Sequence, residues 1–200
     1  MGLDKMKLIK GQTALSEEEM EGLLIPTITT REELDEFEQL NIQKAVEWYL
    51  INRKFKTDKI LTEAFIIGVH KKMLSDVWSW AGKYRTSEKT IGITWYQIPI
   101  KLRQLLDDCK FWIDNKTYSD EEIAIRFKHE LVAIHLFPNG NGRHSRLMGD
   151  VVMKHIFNKP KFTWGYKNLV NKSEIRETYI NALKKGDDKN FKDLISFAQS

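Results

Sequence analysis

The sequence predicts an all-α fold that carries one small β-hairpin. Only four prolines interrupt the 200 residues, and between them apolar residues recur every three to four positions. Two capping boxes mark helix starts, and a single short segment alternates in the manner of strands. With 42% hydrophobic and 30% charged residues, the chain has the composition of a folded protein. Its length suits one domain.

The first capping box, formed by Thr30 and Glu33, predicts a helix that runs to about Asn52. A second helix is expected over roughly residues 61–77, where apolar side chains share one stripe. The segment KTIGITWYQIPI, which begins at residue 89, then alternates β-branched and aromatic residues around a glycine. This pattern predicts a small β-hairpin flap. Helical spacing resumes from Lys101 to Asn115.

A second capping box, Ser119 to Glu122, opens the most informative helix. Its apolar stripe recurs every four residues and ends at His135, so the imidazole is expected at the end of the helix. After a break at residues 138–142, helical spacing continues until Pro160. A final pair of helices, about 173–185 and 189–198, is expected to be divided by Gly186 as a C-terminal cap.

Charge is unevenly distributed along the chain. Residues 16–38 carry nine acids and one base, a net charge of −8, whereas the rest carries +12. We therefore divide the chain into an N-terminal acidic arm, residues 1–29, which could be inhibitory, and a domain over residues 30–200. The basic surplus is spread thinly, so nucleic acid is not expected as a partner.

The single cysteine, Cys109, excludes an internal disulfide and a thiolate-rich metal site. No apolar run suits a signal peptide or a membrane span, and a cytoplasmic location without membrane contact is expected. His129 and Glu130 begin like a zinc-protease motif, but the next histidine lies six residues on, on another side of the helix. A zinc centre is therefore not expected.

The segment HLFPNGNGRHSR, residues 135–146, concentrates the chemistry. Its glycine-rich loop leads into a helix, whose first backbone amides have no acceptor within the helix and attract an anion. Arg143 and Arg146 lie on one face of the first turn, where the helix dipole disfavours cations. Two arginines are reasonable there if an anion with several charges, such as a di- or triphosphate, fills the site.

His135 is expected to face the same volume from the preceding helix. A neutral imidazole can take a proton from an attacking hydroxyl, because its ordinary pKa lies near neutral pH. The combination suggests attack of a hydroxyl on a nucleotide phosphate.

These residues resemble the signature of the Fic (filamentation induced by cAMP) family, H-P-F-x-[D/E]-G-N-G-R-x-x-R. The similarity extends over about residues 30–198, and the whole chain resembles the branch called mobile mystery protein B. The resemblance implies an all-α Fic core and transfer of AMP from ATP to a protein hydroxyl. It implies His135 as the base and a nucleotide site made by Phe137, Gly140, Asn141, Gly142, Arg143 and Arg146.

Within that site, the resemblance assigns the α- and β-phosphates to residues 140–142, the outer phosphates to Arg143 and the γ-phosphate to Arg146. The flap would pair with the target's backbone as an added strand. Its target-binding residues would be Ile91, Gly92, Ile93 and Ile98.

Two further residues carry expectations from the resemblance. Asn139 occupies the position of the acid that binds Mg²⁺ in the family, and its neutral amide is a weaker ligand for this ion. In the acidic arm, Glu21 partly matches an inhibitory pattern, [S/T]-x-x-x-E-[G/N], whose glutamate pairs with the second signature arginine. Glu36 and Glu38 are the lesser candidates for this role.

The expected function is a protein adenylyltransferase that uses ATP and Mg²⁺ to modify a Ser, Thr or Tyr hydroxyl of a target protein. A toxin-like activity and a companion regulatory protein are part of this expectation. Two alternatives stay open: transfer of another phosphate-linked group, such as UMP or phosphocholine, and a nucleotide-binding regulatory module without activity.

Overall fold

The computed structural model describes residues 16–165 and 172–200. They are predominantly helical, which confirms the all-α prediction. The helices in chain order are α1 (Glu17–Met20), α2 (Arg31–Glu47), α3 (Thr57–Ile60), α4 (Glu63–Leu74), α5 (Ile98–Asp114), α6 (Asp120–Ile134), α7 (Asn141–Val151), α8 (Lys172–Asp187) and α9 (Lys192–Gln199).

Local hydrogen bonds explain where the helices begin. Thr30 and Glu33 form the predicted capping box at the start of α2, and a π-helical turn extends that helix to Asn52. The Ser119 hydroxyl accepts the amide N–H of Glu122 and caps α6. Side chains three residues apart are thus sufficient to set these boundaries.

The predicted β-hairpin is wrong. No strand is assigned anywhere in the described residues, and their one isolated β-bridge joins Leu23 to Trp78. The flap segment forms bends and a short 3₁₀ helix, Trp95–Gln97, that leads directly into α5. Pro99 lies in the first turn of α5, where its missing N–H costs no hydrogen bond, so the helix begins earlier than predicted.

Gly186 does not end a helix, contrary to expectation, because α8 continues through it to Asp187. A Cβ atom at this position would lie 2.7 Å from Cδ2 of His129. Glycine is therefore explained here by the close approach of α8 to α6, not by a helix cap.

Helix α6 lies at the centre of the packing and contacts α5, α7, α8 and α9, while α4 packs against α2, α5 and α7. Fully buried apolar residues such as Phe127 and Leu131 place the inner face of α6 in the core. The turn between α6 and α7 is therefore held by helices on several sides. Within the described ranges, no helix combines the length and apolarity needed to cross a bilayer.

Candidate functional site

The loop between α6 and α7 begins at His135, which caps α6 in the left-handed conformation with φ 58°. This conformation costs a residue other than glycine roughly 1–2 kcal/mol, so surrounding contacts must hold it. Asn141 supplies one of them. Its side-chain oxygen accepts the N–H of Phe137 and its amide group donates to the carbonyl of the same residue, at 3.0 and 2.8 Å.

Two histidines, His70 and His144, pack against the loop. The His70 ring stacks on Phe137 at 3.7 Å between centroids, its Nε2 donates to the carbonyl of Asn139 and its Nδ1 accepts the N–H of Gly82. His144 packs edge-on against both rings. Burial lowers the pKa of both histidines, that of His144 to about 4, so both are neutral supports at neutral pH.

This support corrects two expectations about the nucleotide site. Phe137 is fully buried between the two histidines, so it holds the loop and does not face a ligand. Both polar groups of the Asn141 side chain form hydrogen bonds within the loop. Only its backbone N–H, in the first turn of α7, is left to bind an anion.

Arg85 joins the loop to the flap. Its buried guanidinium donates from Nε to the carbonyl of His135 at 2.7 Å, from Nη1 to that of Ser87 at 2.8 Å and from Nη2 to that of Ile93. The Arg85 backbone N–H also donates to the carbonyl of Leu136. A single side chain therefore joins the end of α6 to the residues just before the flap and to the middle of the flap.

The electrostatic surroundings keep His135 neutral. Burial is the main cause that lowers its pKa to about 4, and the charges of Arg85 and Lys89 add to this effect. His135 is therefore unprotonated at neutral pH and able to accept a proton. A bound polyanion would oppose the two cations and raise this pKa towards the range in which a general base is efficient.

The glycines around the start of α7 define an open volume. Gly140 has φ +78°, and a Cβ there would lie 2.8 Å from a methyl group of Leu74, so this position requires glycine. A Cβ at Gly142 would meet no atom within 4 Å. The space beside Gly142 adjoins the amides of the first turn, which attract anions because they have no acceptor within the helix.

The two signature arginines have different partners. Arg143 donates from Nη1 to Oε2 of Glu38 at 2.5 Å, and the other carboxylate oxygen of Glu38 accepts the indole N–H of Trp78. Arg146 lies over the ring of Tyr179, 5.3 Å from its centroid. Thus Arg143, which was expected to bind phosphates, is instead paired with Glu38.

The acidic arm contacts the site through another residue than Glu21. Glu21, at the end of α1, is exposed. Glu19 instead forms a partly buried ion pair with Lys89 of the flap at 2.5 Å. The acid that meets a signature arginine is Glu38, one of the two lesser candidates. The part of the arm before residue 16 lies outside the described residues.

The four flap residues that were expected to bind the target differ in their exposure and contacts. Ile91 is half exposed and can meet a partner, whereas the Ile93 carbonyl is held by Arg85. Gly92 has φ +108° and lies so close to the base that a Cβ would be 2.6 Å from Cβ of His135. Ile98 is fully buried in α5, so its expected role in target binding is wrong.

A groove of about 700 Å³ lies beside the flap and the end of α6. Ile93 and Ile134 line its end next to the base, and Leu105 and Trp112 of α5 continue its wall. Its position gives a polypeptide access to the neighbourhood of His135.

Asn139 is a weak candidate for a metal ligand. Its Oδ1 accepts the N–H of Gly140 at 2.6 Å, and it is a neutral oxygen. Across residues 16–165 and 172–200, no group of three or more His, Cys, Asp or Glu side chains could hold a metal ion. The side chains present therefore do not fit a magnesium site made by the protein alone.

Sequence reasoning missed the supporting residues Arg85 and His70, which lie 50 and 69 positions from their partners in the loop. It named Glu38 only as a lesser candidate for pairing with the second signature arginine, whereas Glu38 binds the first, Arg143. The only available signal was that WSWAGKYR, residues 78–85, resembles the segment before the family's flap.

The chain is similar to known proteins in sequence and in fold. Residues 60–153 match the model of the Fic/DOC family. A Fic-1 fragment from C. elegans superposes with a TM-score of 0.63 at 20% identity over 90% of this chain, which spans half of that fragment. BepC from Bartonella tribocorum, with bound AMPPNP, gives 0.66 at 17% identity, with 92% of this chain and 97% of BepC covered.

A further match is the N-terminal Fic domain of a cell filamentation protein from Bartonella quintana with bound ADP. It has a TM-score of 0.65 at 16% identity, with 87% of this chain and 86% of that chain covered. These likenesses show a shared helical fold.

Proposed function

We propose that the protein transfers AMP from ATP to a Ser, Thr or Tyr hydroxyl of a target protein, since residues 60–153 match the model of the Fic/DOC family. One observation carries the proposal. The turn that ends α6 with His135 also begins α7 beside open space at Gly142, so a proton acceptor and an anion site come from one loop. The nucleotides bound to BepC and to the Bartonella quintana domain support an adenine nucleotide as donor.

In this reaction, His135 takes the proton of the target hydroxyl. The hydroxyl oxygen then bonds to the α-phosphorus of ATP, and the bond from that phosphorus to the bridging oxygen breaks, so pyrophosphate leaves. The amides at the start of α7 stabilise the negative charge of the transferred phosphate. Arg146 and, once released from Glu38, Arg143 bind the outer phosphates.

The acceptor polypeptide is proposed to enter beside the flap. Ile91 is exposed there, and the 700 Å³ groove reaches the end of α6 at Ile134. Because the flap has no strand, backbone pairing with the target would require that its free backbone groups become ordered on binding.

Glu38 is proposed as the inhibitory acid, in place of Glu21. It is buried, and it holds Arg143 in an ion pair that competes with phosphate. Glu38→Gln should therefore increase affinity for a non-hydrolysable ATP analogue, with exposed Glu36→Gln in the same helix as the matched control. Equal affinities for the two variants would remove Glu38 from this role.

ATP labelled on the α- or on the γ-phosphate tests the proposed reaction. Purified protein and a proteome extract should retain label from the α-position only, and His135→Ala should abolish this transfer while binding stays within a few-fold. Label from the γ-position would indicate phosphorylation. Label from neither would favour another donor, such as UMP or phosphocholine, or a nucleotide-binding module without activity.

A further inference from the structure

Lys128 is a buried lysine without a carboxylate as its hydrogen-bond partner. Its side chain is fully buried in α6, and Nζ donates to the hydroxyl oxygen of Tyr179 in α8 at 2.5 Å. Nζ also lies 4.6 Å from the centre of the Tyr179 ring. A buried ammonium is expensive unless it is paired, so this tyrosine is the main group that makes the lysine tolerable.

The same ring supports a signature arginine. The guanidinium of Arg146, from α7, lies 5.3 Å from the centre of the Tyr179 ring, within the range of a cation–π contact. Three helices thus meet at one tyrosine, whose hydroxyl is held by Lys128 and whose face carries Arg146. Burial raises the pKa of Tyr179, but Lys128 and Arg146 outweigh this effect and lower it.

This arrangement matters because a free arginine side chain has many rotamers. Binding an anion through such a side chain orders it, at a cost of affinity for each immobilised side chain. A guanidinium that already rests on a fixed aromatic face avoids part of this cost. Two contacts hold the ring in place: Lys128 donates to its hydroxyl, and Phe197 packs on it at 5.3 Å between centroids.

We infer that Tyr179 is a positioning residue for the donor, which holds Arg146 ready for the outermost phosphate of a nucleoside triphosphate, with Lys128 as its anchor. The inference rests on the proposed donor site. It gives the protein a preference for a triphosphate over a monophosphate that depends on α8, outside the signature segment.

The test measures dissociation constants for a non-hydrolysable ATP analogue and for AMP by calorimetry. Tyr179→Leu should weaken binding of the analogue about three- to tenfold and leave AMP binding unchanged, because only the analogue reaches Arg146. Phe191→Leu is the matched control, since its ring belongs to the same pair of terminal helices and packs on His129 and Arg126. It should not change the ratio of the two constants.

Tyr179→Leu leaves Lys128 without its partner and could prevent folding, so a second variant accompanies it. Lys128→Met combined with Tyr179→Phe removes both polar groups and keeps the aromatic face. This double variant should fold and bind the analogue more tightly than Lys128→Met with Tyr179→Leu. Equal affinities in these two double variants would overturn the inference.

Arg146→Ala separates this inference from the proposed function. If Arg146→Ala weakens analogue binding selectively but the Tyr179 variants do not, the positioning role is refuted and the phosphate site stands. If Arg146→Ala affects the analogue and AMP alike, the proposed phosphate site itself is refuted.

Discussion

Gly142→Ala tests the proposed anion site, because it should change the affinity for a ligand without disturbing the packing of the protein. A Cβ at this position would meet no protein atom within 4 Å, and the residue lies in the first turn of α7. The substitution should therefore leave the fold intact. Alanine gains up to about 1 kcal/mol over glycine in a helix, which raises the Tm of a domain of this size by roughly 2–4 °C.

The same methyl group would occupy the space assigned to a phosphate. If it displaces that phosphate from one backbone amide, the loss is a hydrogen bond to a charged group, about 1.5–3 kcal/mol. Affinity for an ATP analogue should then fall roughly 10- to 100-fold. Adenosine, which has no phosphate, should bind equally well to both forms.

Calorimetry measures the affinity for the ATP analogue, and thermal unfolding of the same samples measures the Tm. Gly140→Ala is the matched control, because φ +78° and a Cβ only 2.8 Å from Leu74 should lower stability by about 1–3 kcal/mol. A Gly142→Ala variant with a raised Tm and unchanged analogue affinity would refute the placement of the anion site.

Three further changes have defined outcomes. Gly92→Ala should slow transfer about 100-fold with little change in donor affinity, because its Cβ would displace His135. Single-turnover rates and dissociation constants for the donor measure these two effects separately. Burial raises the pKa of Asp150 from 3.8 to about 7, so the free energy of unfolding should fall as pH rises between these values. Asp150→Asn should remove roughly 4 kcal/mol of this pH dependence, measured by urea unfolding at pH 4 to 8. Parallel curves of unfolding free energy against pH for the two forms would contradict this. Gly186→Ala should destabilise by about 1–3 kcal/mol through its clash with His129, but not in a His129→Ala background; equal costs in both backgrounds would exclude the clash.

The parts of the fold that depend on neighbouring residues were predictable. The capping box at Thr30 and the serine cap at Ser119 join side chains to amides three residues on, so their pattern is complete in the sequence. The Glu122 half of the second predicted box is not formed, because its carboxylate binds Arg126. The loop before Arg143 was predictable for the same reason, since a glycine-rich turn before a helix is a local feature.

Contacts between distant segments were not predictable. The flap alternates like a hairpin, but Ile98 is buried and the Ile93 carbonyl is held by Arg85, so tertiary bonds replace strand pairing. The sequence pattern likewise gave Glu38 only as a lesser candidate for the second signature arginine and could not indicate that it would bind Arg143, 105 residues away. A periodicity describes which face of a segment is apolar and contains no information about which partner that face meets.

The position of Arg85 has a consequence for protein engineering. Because its guanidinium bonds to Ser87, Ile93 and His135 together, the flap cannot be exchanged as an independent segment. A transplanted segment of another length would present its carbonyls elsewhere and would displace His135 through the same side chain. Redesign of acceptor preference in this scaffold should therefore keep the spacing from Arg85 to Ile93 constant and vary only outward-facing positions such as Ile91.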